Sequence, residues 1–307
     1  MQYRKEIDGL RAIAVIPVVF FHAGVEALSG GYVGVDVFFV ISGFLITTIL
    51  LNDIDNGTFS LVTFYERRAR RIMPALSFVV VVSTIAATIF MNPAQIKEYG
   101  DSVAATMLFS ANIYFWQTTD YFGLAADEKP MLHMWSLAVE EQYYIIFPII
   151  IIVFCRFSKR EQILAGFLAL AAVSLMAAEI GWRLNAIANY YLPVGRAWEL
   201  LAGATVALAL RGAPPRPSSA GPWLAAAGLG LICASLVLID DRTPWPSLWT
   251  VIPVAGTMLT LRYARWDEPT GRMLGWTPLV WIGLLSYSIY LWHQPLLAFA
   301  RIMSADR

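Results

Sequence analysis

Nine blocks of apolar residues divide the chain, at about 7–26, 32–51, 74–92, 135–154, 162–182, 193–210, 222–239, 247–262 and 277–299. Each approaches the roughly 20 residues that an α-helix needs to cross the hydrocarbon layer of a bilayer. The blocks are unbroken and lack the period-two alternation of a membrane β-barrel, which leaves helices as the spanning structure. The pattern predicts an all-α, polytopic transmembrane bundle of about nine spans, one membrane domain over 1–307. A further apolar segment, 103–116, is too short to span and is expected to form a re-entrant or interfacial helix. The Pro-rich stretch Arg211–Pro222 reads as a short linker, and no internal repeat is visible.

Composition agrees with a lipid-facing surface. Hydrophobic residues make up 58% of the chain and charged residues 14%, too few to cover a water-soluble domain of this size. The formal net charge is zero, so the basic footprint of a nucleic-acid-binding protein is missing. Arg4 and Lys5 precede the first block as in a secretory leader, but Asp8, Arg11 and His22 interrupt it. It is therefore expected to stay as the first helix. With the N-terminus cytoplasmic, 15 of the 22 Lys and Arg fall in cytoplasmic segments, while only Lys97, Lys129, Arg183 and Arg242 fall in outside loops. That bias is the positive-inside pattern and sets the expected orientation. The two cysteines, Cys155 and Cys233, provide neither a disulfide framework nor metal-ligand spacing, and no metal site is expected.

Ionisable groups inside apolar spans are expensive and usually functional. In the first helix Arg11 and His22 lie eleven residues apart, about three turns, and so share one face at roughly 16 Å separation. They read as an anion-binding arginine near the cytoplasmic side and a histidine base deeper in, against a purely structural Asp8–Arg11–His22 network. Asp36, near the outer end of the second helix, is a candidate for orienting His22. Arg67, Arg68, Arg70 and Arg71, at the cytoplasmic mouth of the third helix, serve as topology determinants or as guanidinium forks for phosphates. The fourth helix opens with His133, Trp135, Glu140 and Glu141. The two carboxylates point about 100° apart, and Glu140 is a candidate for orienting a base or hydroxyl, or for a buried ion pair with Arg196. Arg196 and Glu199, three apart on one helix, are expected partners. His293 lies near the outer end of the ninth helix. Gly34 and Gly43 read as helix-packing positions.

Five motifs, each at a span boundary, together resemble the membrane acyltransferase family 3, the glycan and lipopolysaccharide O-acetylase group. They are Arg11 with His22; the run Gly31 through Leu45; Arg67, Arg68, Arg71, Ile72 and Pro74; Trp135, Ser136, Leu137, Glu140, Tyr143 and Tyr144; and Ser286, Tyr287, Tyr290, Leu291 and His293. The resemblance covers essentially the whole chain. It implies a multi-pass protein of the bacterial inner membrane, acetyl-coenzyme A as donor, and a hydroxyl of a surface or periplasmic glycan, such as lipopolysaccharide O-antigen or peptidoglycan, as acceptor. Arg11 and His22 would be the essential pair, with His22 as general base or transient acyl carrier, and Arg67, Arg68 and Arg71 would hold the donor. Tyr114 through Tyr144 looks most like the subgroup whose membrane part is fused to a periplasmic SGNH-type domain. The chain stops at Arg307, short of that domain and of the family's tenth span, and is expected to be a fragment or truncated. A transporter lined by the same intramembrane charges is the rival reading. The cytoplasmic arginine cluster and the missing inverted repeats weigh against it.

Overall fold

The computed structural model describes residues 3–118, 126–211 and 219–305. Among them are thirteen α-helices and no strand: α1 (Lys5–His22), α2 (Gly34–Asp55), α3 (Leu61–Phe90), α4 (Pro93–Met107), α5 (Ala111–Thr118), α6 (Met134–Phe157), α7 (Arg160–Leu184), α8 (Ala186–Tyr191), α9 (Ala197–Leu210), α10 (Gly221–Leu238), α11 (Val251–Tyr263), α12 (Pro269–Leu274) and α13 (Thr277–Ala305). All nine apolar blocks lie on helices. Among the described residues, five stretches are long and apolar enough to cross a membrane: Gly31–Asp55, Leu61–Phe90, Met134–Phe157, Arg160–Leu184 and Gly221–Leu238. Helices α9 and α11, with 14 and 13 residues, are shorter than a full crossing. The Arg211–Pro222 linker lies mostly outside the described residues.

The segment 103–116 is two helices rather than one. The break falls at Leu108–Ser110, where Phe109 takes φ 51°, a left-handed conformation that ends α4. At its other end α4 begins with a capping box: the Asn92 side chain accepts from the Gln95 amide, the Gln95 side chain accepts from the Asn92 amide, and Pro93 fills the first position.

The outward faces are apolar. Phe78, Val81, Ile85 and Ile89 on α3, Ile145, Ile146 and Ile149 on α6, and Val173, Met176 and Ile180 on α7 are all largely exposed. A continuous apolar surface of this kind is a lipid-facing belt. The chain is a multi-pass membrane protein, and its polar side chains must then turn inward or toward the two ends.

Two helix pairs position the interior. Helices α2 and α9 approach backbone to backbone: a Cβ on Gly43 would strike the Leu200 carbonyl, and one on Gly203 would strike the Val40 carbonyl. Glycine at both places is what lets the axes come this close. The contact is tied by charge, because the buried Arg196 Nη1 lies 2.6 Å from Asp36 Oδ1 of α2 and 3.2 Å from Glu199 Oε1 of α9. The Arg196–Glu199 pairing expected from spacing is present, but Asp36 is taken up by Arg196 and does not orient His22. Glu140 does not pair with Arg196 either, since Asp36 and Glu199 already flank that guanidinium. Helix α1 runs parallel to α13, with Asp8 against Gly283 at one end and His22 against His293 at the other.

Removing one member of this buried charge group should be costly and removing all of it should not. Arg196→Ala is expected to lower unfolding free energy by about 3–5 kcal/mol, because two buried carboxylates lose their cation. Replacing Arg196, Asp36 and Glu199 together by apolar residues of similar volume should recover most of that loss. Denaturant unfolding in detergent micelles checks both, and a single variant as stable as wild type would contradict the assignment.

Candidate active site

The site is a column of polar side chains on the inner faces of α1, α6 and α13. Along α6, His133 and then Ser136 and Glu140 follow at steps of three and four residues. Along α13, Ser286, Tyr290 and His293 do the same at steps of four and three. These steps put each set on one helical stripe. The two stripes run antiparallel, so Glu140 lies toward the end where α13 carries Ser286, and His133 toward the end where it carries His293.

At one end is a cavity of about 120 Å³ whose wall includes Arg11, Arg68 and Arg71. Arg68 lies in an ion pair with Glu141 at 2.7 Å and sits 4.0 Å over the Tyr144 ring, so its plane is held on two sides. Arg11 pairs more loosely with Asp8, at 3.4 Å. Arg71 is exposed and has no ion-pair partner among the described residues. Three guanidinium groups with two carboxylate partners leave a cationic mouth. Arg67 is not part of it: it points away to Asp53 at 2.7 Å and is largely exposed. Arg67, expected to share a site with Arg68 and Arg71, does not line this cavity, because Asp53 takes up its guanidinium.

Deeper in, Glu140 accepts from Ser42 at 2.9 Å and from Tyr144 at 3.4 Å. Tyr287, in the same wall, donates to the Ile72 carbonyl at 3.1 Å and so ties α13 to α3. The far wall is made by Ser136 and Tyr290, whose hydroxyls lie 2.6 Å apart. Tyr290 also donates to the His133 carbonyl at 2.9 Å.

Beyond that hydroxyl pair, all three histidines of the chain converge. The His22 and His293 rings lie 5.1 Å apart and the His133 and His293 rings 5.0 Å apart. His22 Nδ1 meets the Val18 carbonyl at 2.8 Å, and His293 Nδ1 meets the Tyr290 carbonyl at 2.6 Å. A carbonyl only accepts, so in both rings Nδ1 carries the proton and the neutral imidazole bares its Nε2 lone pair. His293 Nε2 has no hydrogen-bond partner among the described residues. Arg301 clasps this end, donating to the His22 carbonyl and, at 3.0 Å, to the Asp127 carbonyl.

The residues singled out in the sequence thus sort into three places. Arg11, Arg68, Arg71, Glu140 and Tyr287 line the cavity, and His22, His133 and His293 form the histidine end. Trp135 lies against Arg196 at 5.3 Å, in the structural group with Asp36 and Glu199. Sequence reasoning missed Ser42, Ser286 and Tyr290 as site residues. The serine and tyrosine of α13 were visible as a polar stripe at helical spacing within an otherwise apolar run.

The family model described as an acyltransferase domain matches residues 4–306. The chain is 32% identical over 310 residues to the peptidoglycan O-acetyltransferase OatA of Listeria monocytogenes, covering 96% of this chain and 50% of that protein. It is 32% identical over 313 residues to the O-acetyltransferase OatA of Staphylococcus aureus, covering 97% and 51%. The putative peptidoglycan O-acetyltransferase YrhL of Bacillus subtilis is 31% identical over 317 residues, covering 97% and 49%. The chain spans about half the length of the curated relatives it matches. No solved structure matches it.

The cationic mouth should hold a multivalent anion, and the arginines should differ in their share of that work. Arg71→Ala is expected to weaken pyrophosphate binding about tenfold, the scale of one charge-assisted hydrogen bond. Arg67→Ala should leave it within twofold of wild type. Isothermal titration of the purified protein checks this, and equal loss in both variants would contradict the placement of Arg67.

Proposed function

The chain belongs to the acyltransferase-domain family, and from that premise we propose that it is an O-acetyltransferase moving an acetyl group from coenzyme A to a cell-wall glycan. The observation that carries this reading is the column itself: a cationic cavity at one end, three converging histidines at the other, and a hydroxyl pair between them. Peptidoglycan is the preferred acceptor over lipopolysaccharide, because two relatives carry peptidoglycan in their names.

In this reading the donor's phosphates lie at Arg68 and Arg71, with Arg11 extending the positive path inward. The pantetheine arm follows the column for about 16 Å, the rise of α1 from Arg11 to His22. It presents the thioester near His22. The bare Nε2 of His22 takes the proton of the acceptor hydroxyl as its oxygen attacks the thioester carbonyl. The new C–O bond forms, the C–S bond breaks, and the thiolate leaves with the proton returned from His22. His293 packs against the His22 ring, and His133 backs His293 from its other side.

The reading also fixes a topology. The chain lies in the bacterial inner membrane with about nine spans, the arginine end cytoplasmic and the histidine end facing the cell envelope. The donor then comes from the cytoplasm, and the acyl group leaves toward the glycan or toward an SGNH-type domain that completes its delivery.

Two measurements test this. His22→Ala is expected to lower turnover of acetyl-coenzyme A at least about 100-fold, the lower range for losing a general base, with donor affinity kept. Turnover equal to wild type would remove His22 from the chemistry. In a Cys155→Ser, Cys233→Ser background, Arg160→Cys should react with an impermeant maleimide only from the cytoplasmic side and Arg242→Cys only from outside. The opposite pattern would invert the orientation.

A further inference from the structure

Ser286 stands out in the cavity wall. It is fully buried, it lines the cavity, and its hydroxyl has no hydrogen-bond partner among the described residues. A buried hydroxyl left unpaired is unfavourable, which marks it as a group that a bound molecule would satisfy. It shares the cavity with Glu140 of the neighbouring α6 stripe. The Glu140 carboxylate accepts from Ser42 and Tyr144, which leaves further lone pairs free.

The two groups have complementary needs. Ser286 offers an O–H to an acceptor, and Glu140 offers lone pairs to a donor. A secondary amide presents one of each, a C=O and an N–H on opposite sides of one planar group. The surrounding wall, with Phe38, Ile46 and Ile72, is apolar and suits the carbon chain on either side of such an amide.

We infer that Ser286 and Glu140 form an amide-recognition subsite for the arm of the donor, with Ser286 donating to the amide carbonyl and Glu140 accepting from the amide N–H. The inference rests on the coenzyme A reading above and adds what selects the arm once the phosphates are held. Ser286 is a binding residue in this account and takes no part in the chemistry. On α13 it lies about 10 Å below His293, so the amide is gripped part-way between the arginine mouth and the histidines.

The test compares two ligands on the purified full chain: acetyl-coenzyme A, which carries the arm, and adenosine 3′,5′-bisphosphate, a nucleotide fragment without it. Ser286→Ala is nearly isosteric and should fold as wild type. It is expected to bind acetyl-coenzyme A about fivefold to tenfold more weakly and the arm-less nucleotide unchanged, with Ser286→Cys intermediate. Unchanged acetyl-coenzyme A affinity in Ser286→Ala would overturn the subsite. An equal loss for both ligands would also overturn it, assigning Ser286 to packing. Wild type that binds neither ligand would overturn the coenzyme A reading together with this one.

Discussion

A charge buried in an apolar bundle has no water to solvate it, and this constraint arranges most of the structure. Arg196 is 1% exposed and survives there because Asp36 and Glu199 flank it and Trp135 and Tyr190 cover its faces. The three charged groups come from α2 and from α9 with its preceding turn, and they fasten the helix pair whose backbones meet at Gly43 and Gly203. The same rule governs the cavity, where Arg68 needs Glu141 and Arg11 needs Asp8. What remains among the described residues after those pairings is the useful part: Arg71 without a carboxylate, Ser286 without a hydrogen-bond partner, and imidazoles with one bare nitrogen each.

The outer surface follows from the same constraint read in reverse. Lipid accepts the exposed isoleucines of α3, α6 and α7, so polar side chains on the spans can only face one another. Arg11, Glu140 and Ser286 are therefore drawn to one interior column by exclusion from lipid as much as by their own attraction. The column has a cationic end and a histidine end because the arginines sit near the starts of α1 and α3 while the histidines sit near the end of α1, the start of α6 and the middle of α13.

Much of this was legible in the sequence. The nine apolar blocks mark helices, and the stripe joining Arg11 to His22 follows from helical periodicity alone. The Arg196–Glu199 pair follows from a spacing of three. Partnerships between distant helices were not legible. Nothing local tells that Asp36 meets Arg196 across 160 positions rather than His22, or that His22, His133 and His293 share one cluster. Arg67 and Arg68 look equivalent in the sequence and are separated only by the direction each takes from the helix. Ser286 stood in a motif and on a polar stripe, but its unpaired hydroxyl was not legible, since a serine in a span most often returns its hydrogen bond to its own helix. The break at Phe109 was hidden inside a run that reads as one apolar segment.

The central claim is that the column passes an acyl group from the arginine end to the histidine end. Sealed proteoliposomes with one protein orientation test it directly, with labelled acetyl-coenzyme A supplied on the side of the arginine end and a peptidoglycan fragment enclosed on the other. The account predicts label on the fragment across the bilayer, and none when donor is supplied at the histidine end. Label that appears only when donor and fragment share one side would contradict it.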